Sequence, residues 1–254
     1  MSQVEGPYPS APIVEAGLTL AFAEQTVFNV DALSRRFDAR SPEWEAQGIF
    51  DVSGTYVPVA VGQESTLGDD RKLVGFQRSR DKERLQFIED EIRYVRTYRK
   101  NLYTDWNDFI ADAMEHLVPL FSDNPDNLVM FAQARFVNEL PIPKSGRYEI
   151  SDWVYLGVDV PSELPQGVSR MFTQVDIPFD REDTGFVNTR STVFAGAREN
   201  EAVLVLDIEV SKQFPPRSVN GLEDILTVLR SVKNELFEGA VTDGCRTRMR
   251  GAPE

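Results

Sequence analysis

The chain has 254 residues, of which 41% are hydrophobic, and a formal net charge of −14 at pH 7. That hydrophobic fraction supports a core in one large domain or two small ones, while the acidic charge argues against non-specific binding of nucleic acid over the whole surface. The sequence has no apolar run of the roughly 18 residues that a membrane span needs, no signal-peptide pattern and a single cysteine, Cys245, so we expect a cytoplasmic protein without a disulfide framework.

The first predicted element is a strand over 12–22. A short helix is predicted over 30–37, and the stretch 38–70 is predicted to be an irregular excursion with one strand near 56–61, because Gly and Pro recur along it. The first strand alternates, and its predicted core face carries Val14, Ala16, Leu18, Leu20 and Phe22.

A second hairpin is predicted over 72–78 and 84–98. Along its second arm the apolar residues move from one side of the strand to the other, since Leu85 and Phe87 point to one side and Ile92 to the other. An extra residue in one strand shifts the alternation by one, so we expect a β-bulge near 87–88.

A helix is predicted to begin at Thr104 or Asp105, either of which has a side chain suited to the N-cap position. A strand over 128–137 follows it. The segment 144–166 contains Pro and Gly and is predicted to join two halves of the chain. The helix carries an apolar stripe at helical spacing, formed by Trp106, Phe109, Ile110, Ala113, Leu117, Leu120 and Phe121.

The clearest structural signal lies near the C-terminus. Three strands are predicted over 171–177, 185–195 and 201–210, and the last alternates strictly between apolar and mixed faces. A helix follows, with Asn220 and Glu223 at capping-box spacing and with Gly239 at its end. Its apolar stripe comprises Leu222, Ile225, Leu226, Leu229, Val232, Leu236 and Phe237.

These elements predict an α+β fold with two halves, over 1–143 and 144–254. Each half is predicted to be an antiparallel sheet backed by a helix, because each has strands in succession and one amphipathic helix. The pattern leaves open whether the two sheets join into one.

Three strand carboxylates form one candidate site. Asp207 and Glu209 lie two residues apart on one face of a strand, about 7 Å from each other. With Glu15 they form a candidate site for a hard divalent cation if their strands are neighbours, and hence a metal-dependent enzyme. The alternative interpretation is that these three are ordinary solvated carboxylates on a sheet.

The second hairpin is the one basic stretch of this acidic chain. Between residues 71 and 100 there are ten Lys/Arg and five Asp/Glu. Cations interleaved with aromatic residues can neutralise phosphates and stack bases. The basic hairpin 78–100 is therefore a candidate surface for nucleic acid or nucleotides, although a solvated sheet face gives the same pattern. Its candidate residues are Arg78, Arg80, Arg84, Arg93 and Arg96.

Other catalytic signatures are absent from the sequence. There is no phosphate-binding loop, no dinucleotide fingerprint and no C-x-x-C pair, so we expect no cofactor. The single histidine, His116, flanks an apolar stripe and is best read as structural. Cys245 lies beyond the last predicted helix, among arginines that would lower its pKa. These features favour a protein without catalytic activity.

Four motifs resemble, in this order, a sporadically distributed bacterial protein family of roughly this length with no assigned activity. The motifs are an opening Y-x-x-A-P-I-V-E-A from Tyr8, a Y-x-x-W-x-x-F helix start from Tyr103, an R-F-V-N strand end from Arg135 followed by L-P-I-P, and a C-terminal helix over 226–242. The resemblance covers almost the whole chain. It implies an α+β fold and a bacterial host, and it brings no catalytic residues with it. The scattered occurrence implies mobile genes, such as those of defence or toxin–antitoxin modules.

The preferred hypothesis is thus a non-catalytic bacterial protein that binds and regulates another protein, or associates with itself. An exposed sheet edge can pair with a strand of a partner without any special residues. Nucleic-acid binding through the basic hairpin and metal-dependent catalysis through the strand carboxylates are the two alternatives.

Overall fold

The computed structural model describes residues 8–9, 11–23, 35, 37–39, 41–52, 55–60, 71–88, 91–98, 103, 105–121, 127–143, 148–157, 170–198 and 201–251. These residues form one ten-stranded antiparallel sheet in the order β3-β2-β4-β5-β6-β1-β7-β10-β9-β8. The strands are β1 (Ile13–Phe22), β2 (Glu45–Val52), β3 (Thr55–Ala60), β4 (Arg71–Arg80), β5 (Glu83–Ile88), β6 (Glu91–Thr97), β7 (Val129–Glu139), β8 (Met171–Arg181), β9 (Gly185–Arg198) and β10 (Glu201–Arg217).

The prediction of an α+β fold is confirmed, but the sheet is single rather than divided into two halves. The ladder crosses the predicted boundary where β7 pairs with β10, for example Phe136 with Ile208. Pairing between strands far apart in sequence depends on tertiary contacts that periodicity does not report. The division of the chain after residue 143 into domains stays a prediction.

Three helices have both ends within the described residues: α1 (Trp106–Phe121), α2 (Glu223–Ala240) and α3 (Asp243–Met249). Rings of α1 pack on the sheet through Phe136 and Tyr94, and α2 packs on β10 and β7. None of the helices in the described ranges is long and apolar enough to cross a membrane.

Strand alternation gives the sheet two unlike faces. The helix face, which lies under α1 and α2, carries buried apolar residues such as Leu18, Ala134 and Leu206. The opposite face, here called the polar face, carries Glu15, Gln133, Arg135, Asp207, Glu209 and Arg190. This division follows from the period of two, which sends successive side chains to opposite sides. The core face predicted for the first strand is confirmed at Ala16, Leu18, Leu20 and Phe22, which are buried.

The predicted irregular excursion over 38–70 is wrong in part, because it contains β2 as well as the strand predicted near 56–61. β2 pairs with both β3 and β4. Its sequence, EAQGIFDV, does not alternate cleanly between apolar and polar residues, so periodicity does not predict this strand. The helix predicted over 30–37 falls largely outside the described residues.

The predicted bulge near 87–88 is also wrong. The arm over 84–98 is two strands, β5 and β6, which pair with each other through Phe87 and Ile92. The change of phase marks a reversal of the chain rather than an inserted residue. Close packing next to this turn needs glycine, because a Cβ at Gly75 would lie 2.0 Å from the carbonyl oxygen of Phe87.

The start of α1 agrees with its sequence signals. The carboxylate of Asp105 accepts hydrogen bonds from the backbone N–H groups of Asn107 and Asp108, at 2.5 and 2.9 Å, so it supplies the predicted cap. Pro119 lies within the last turn of the helix. The helix thereby holds Trp106 at its first turn, against the sheet.

The ends of α2 differ from the prediction. Residues 219–221 form a 3-10 turn, and Leu222 rather than Asn220 precedes the helix, with no side-chain cap. The helix continues past Gly239 to Ala240, and α3 follows it after Thr242, whose hydroxyl caps α3 at Cys245. An isolated bridge joins Val154 to Val241 and ties this end of the chain to the segment 148–157.

Candidate functional site

A cavity of about 310 Å³ lies between α1 and α2, above the helix face of the sheet. We call it the interhelical pocket. Parts of the chain that are far apart in sequence meet here, since residues near 8–13, 103–106, 136–138 and 230–238 all line it. Its lining residues are Tyr8, Ala11, Pro12, Ile13, Tyr103, Asp105, Trp106, Phe136, Asn138, Ile208, Arg230, Lys233, Asn234, Phe237 and Glu238.

The regular elements place the pocket side chains. Phe136 points to the helix face from β7, where it contacts both Trp106 and Phe109 of α1. Arg230, Lys233 and Phe237 recur along α2 at spacings of three and four, so they lie on one side of that helix. The pocket therefore has an aromatic floor and a cationic wall.

Lys233 is the most unusual group in the pocket. Its ammonium nitrogen lies 4.5 Å from the centre of the Phe136 ring, and among the described residues it has no hydrogen-bond or ion-pair partner. Burial lowers the pKa of Lys233 to about 8, helped by the nearby charge of Arg230 and opposed by Glu238. Contact with the face of an aromatic ring offsets part of the cost of burying the charge.

Tyr103 supplies a second unsatisfied group. Its hydroxyl is buried and has no hydrogen-bond partner in the described part of the chain. Burial raises the pKa of this phenol, which therefore stays protonated and able to donate. A buried hydroxyl without a partner costs about 1–3 kcal/mol. Tyr103 also lines the interhelical pocket, so its hydroxyl is a candidate donor to a ligand there.

The two carboxylates of the pocket are already engaged. Asp105 caps α1, and Glu238 accepts from the hydroxyl of Tyr8 at 2.8 Å and lies 3.7 Å from Arg246. The guanidinium of Arg230 donates to the neutral side chain of Asn107 at 3.2 Å. Among the described residues, neither Arg230 nor Lys233 has a carboxylate ion-pair partner, so both cations are available to an anionic ligand.

The sequence contained one signal for this site. Lys233 lies four residues after Leu229 and four before Phe237, which are both in the apolar stripe of α2. A lysine within an apolar stripe is a candidate buried amine. Nothing in the sequence, however, indicated that Tyr103 and Phe136 would face it.

The carboxylates predicted as a metal site do come together, but they surround an arginine. The guanidinium of Arg135 lies 2.6 Å from Asp207, 3.6 Å from Glu209 and 3.6 Å from Glu15. It occupies the position between them that a cation would take. Among the described residues, no group of three or more His, Cys, Asp or Glu is arranged to hold a metal ion.

The arginines predicted as a nucleic-acid surface do not form one surface. By strand alternation, Arg84 and Arg93 lie on the polar face, whereas the other three point to the helix face. All five contact carboxylates. The pairs are Arg78 with Asp38, Arg80 with Glu43 and Glu83, Arg84 with Glu15, Arg93 with Glu91, and Arg96 with Asp112.

The histidine and the cysteine lie away from the pocket lining. His116 packs among the rings of Phe37, Trp44 and Tyr94, and burial lowers its pKa. Cys245 is fully buried in α3, and burial raises the pKa of its thiol to about 11 despite Arg246 and Arg248. The two arginines do act to lower this pKa, as expected, but the burial of the thiol outweighs them.

No protein-family model matches this chain, and no curated protein matches it. The resemblance to a sporadically distributed bacterial family therefore stays a prediction.

Proposed function

We propose that this protein binds a small organic acid in the interhelical pocket. The observation that carries the proposal is the half-buried side chain of Lys233, whose amine lies on the Phe136 ring and lines the pocket without a carboxylate ion-pair partner among the described residues. A partly desolvated cation without an anion is costly, and an anionic ligand would offset that cost. The phenol of Tyr103 would donate a second hydrogen bond to the same ligand.

The lining also defines the rest of the ligand. The rings of Phe136, Trp106 and Phe237 form much of the pocket lining. Such a lining favours a ligand with an apolar or aromatic skeleton, because burial of that skeleton removes apolar surface from water. A cavity of about 310 Å³ is at the small end for ligand pockets, which range from about 300 to 1,000 Å³. The ligand class is therefore a compact aromatic or branched carboxylic acid.

Calorimetric titration tests this proposal. Phenylacetate is the probe, and phenylethanol is the uncharged comparison of similar shape. We expect phenylacetate to bind, and Lys233→Met to weaken its binding by about tenfold or more, since a lost charge-assisted hydrogen bond is worth about 1.5–3 kcal/mol. Lys212→Met is the matched control, because Lys212 donates to backbone carbonyls of 184 and 186 and is not part of the pocket lining.

Two results would overturn the proposal. One is an absence of binding for phenylacetate, benzoate and branched aliphatic acids alike. The other is equal binding by wild type and by Lys233→Met, which would place the acid elsewhere on the molecule.

A second candidate function is the binding and regulation of another protein. The proposed setting is the cytoplasm of a bacterium, in a defence or toxin–antitoxin module. The observation that favours protein binding is that two large apolar side chains are exposed, Phe172 of β8 at 65% and Phe186 of β9 at 54%. Both lie on the polar face, and large exposed aromatic residues are typical of binding surfaces. Affinity purification from the host with wild type and with Phe172→Ser/Phe186→Ser tests this candidate. A stoichiometric partner that the double variant loses supports it, and a partner retained by that variant contradicts the assignment to this surface.

A further inference from the structure

Lys233 has the surroundings of a nucleophilic amine as well as those of an anion-binding group. Amine nucleophiles react through the neutral form, which is scarce for a lysine in water. Here the nitrogen of the half-buried side chain lies against the ring of Phe136, and no carboxylate of the described residues forms an ion pair with it, although the charge of Glu238 acts in the opposite direction. Both conditions favour the neutral amine.

A second cation strengthens this effect. Arg230 lies one turn before Lys233 on the same side of α2, and its charge disfavours protonation of the amine. The guanidinium also lines the pocket, where it is able to bind a carboxylate. An acid held by Arg230 would place its carbon skeleton beside Lys233.

We propose that Lys233 forms an imine with small 2-oxo acids that enter the interhelical pocket. This inference rests on the proposed function, because it requires that the pocket admits an organic acid. The 2-oxo acids are the class that combines a carboxylate for Arg230 with a carbonyl carbon next to it. The aromatic floor selects those with an apolar side chain, such as phenylpyruvate.

The reaction balances without an oxidant or a reductant. The neutral nitrogen of Lys233 attacks the carbonyl carbon, a C–N bond forms, and one proton passes from the nitrogen to the carbonyl oxygen to give a carbinolamine. The C–O bond then breaks, the nitrogen loses its last proton as the C=N bond forms, and the hydroxyl takes up a proton and leaves as water. The phenol of Tyr103, a lining residue whose hydroxyl has no partner among the described residues, would donate a hydrogen bond to the carbonyl oxygen while charge develops on it.

Reductive trapping tests the inference with the whole protein. The protein is mixed with phenylpyruvate, treated with sodium borohydride and analysed by intact mass and peptide mapping. We expect one added group, with the mass of phenylpyruvate less one oxygen atom, on a peptide containing Lys233. Lys233→Arg keeps the positive charge and should reduce trapping by about tenfold or more, while Lys212→Met should trap as wild type does.

A binding measurement in parallel separates this inference from the proposed function. Phenyllactate, which has a hydroxyl in place of the carbonyl, is the non-reactive comparison in calorimetry. If both acids bind and no adduct is trapped at Lys233, the imine inference is wrong and the proposed function stands. If neither acid binds, both are wrong. Adducts that are spread over several lysines and persist in Lys233→Arg would also overturn the inference.

Discussion

The ammonium of Lys233 lies 4.5 Å from the centre of the Phe136 ring. This contact joins α2 to strand β7, and it offsets part of the cost of holding an ammonium group that has no ion-pair partner among the described residues. Holding this amine in the pocket thus lowers the stability of the free protein.

Lys233→Met should stabilise the free protein at pH 7, by about 1–3 kcal/mol, because methionine fills a similar space without a charge. The pKa of Lys233 is lowered to about 8 from its ordinary value of 10.5, so the unfolded chain binds more protons between these values. The free energy of unfolding of the wild type therefore rises with pH in that window. The difference in stability between Lys233→Met and the wild type should shrink from about pH 8 upward. Urea unfolding of both proteins between about pH 7 and 9.5 measures this difference. A gap that does not change with pH would contradict it.

Tyr103→Phe should leave the free protein as stable as wild type or stabilise it slightly, because the hydroxyl that it removes has no partner among the described residues. Tyr8→Phe is the matched control, since it removes a hydroxyl that donates to Glu238 at 2.8 Å and should cost about 1 kcal/mol. Tyr103→Phe should nevertheless weaken binding of phenylacetate. Unfolding curves and calorimetry of the same samples test both parts. A loss of stability in Tyr103→Phe larger than in Tyr8→Phe would show that the hydroxyl has a structural partner.

His116 should contribute to a loss of stability in mild acid. Burial among Phe37, Trp44 and Tyr94 lowers its pKa, so the unfolded chain takes up its proton first as the pH falls below about 6.5. His116→Phe keeps an aromatic ring at this position and removes the titration. The decline in free energy of unfolding from about pH 7 to 5.5 should be smaller in this variant. If stability declined equally in the two proteins, the decline would come from titratable groups other than His116.

Arg135→Met should destabilise the polar face, because it leaves Glu15, Asp207 and Glu209 close together without a counter-charge. We expect a loss of about 1–2 kcal/mol at low salt, and partial recovery at about 0.5 M salt, which screens the repulsion. Arg181→Met, which breaks an exposed pair with Glu235, is the control and should change stability little.

The same variant tests the metal hypothesis. Calorimetry with Mn²⁺ should give no binding heat with wild type, since the guanidinium of Arg135 lies among the three carboxylates. Arg135→Met removes that guanidinium and is the protein in which Mn²⁺ heat would appear. Mn²⁺ heat with wild type that Glu15→Gln abolishes would instead support a metal-dependent function at these residues.

The nucleic-acid hypothesis has a similarly direct test. Arg84 and Arg93 lie on the polar face, and each contacts a carboxylate, Glu15 and Glu91 respectively. We therefore expect no salt-dependent binding of single-stranded or duplex oligonucleotides in fluorescence anisotropy at low salt. Binding that falls with salt and is lost in Arg84→Gln/Arg93→Gln would establish the basic hairpin as a nucleic-acid surface.

Patterns of local spacing predicted the elements that depend on neighbours in sequence. Alternation placed Leu204, Leu206, Ile208 and Val210 on one face of β10, and all four are buried. Asp105 caps α1 as its side chain and position indicate. The prediction failed where alternation was weak, as in β2, and where a reversal of the chain between β5 and β6 resembled a bulge.

Periodicity, capping and charge are properties of neighbouring residues, so they were enough to predict an α+β chain with an acidic surface, strong antiparallel strands and two amphipathic helices. Which strands are neighbours and which side chains meet depends instead on tertiary packing. It placed Arg135 between Asp207, Glu209 and Glu15, and it divided the basic hairpin between two faces. It also brought Tyr103, Phe136 and Lys233 to one pocket. These residues are more than thirty positions apart in sequence, and only the packing of two helices on a shared sheet brings such distant groups within reach of one ligand.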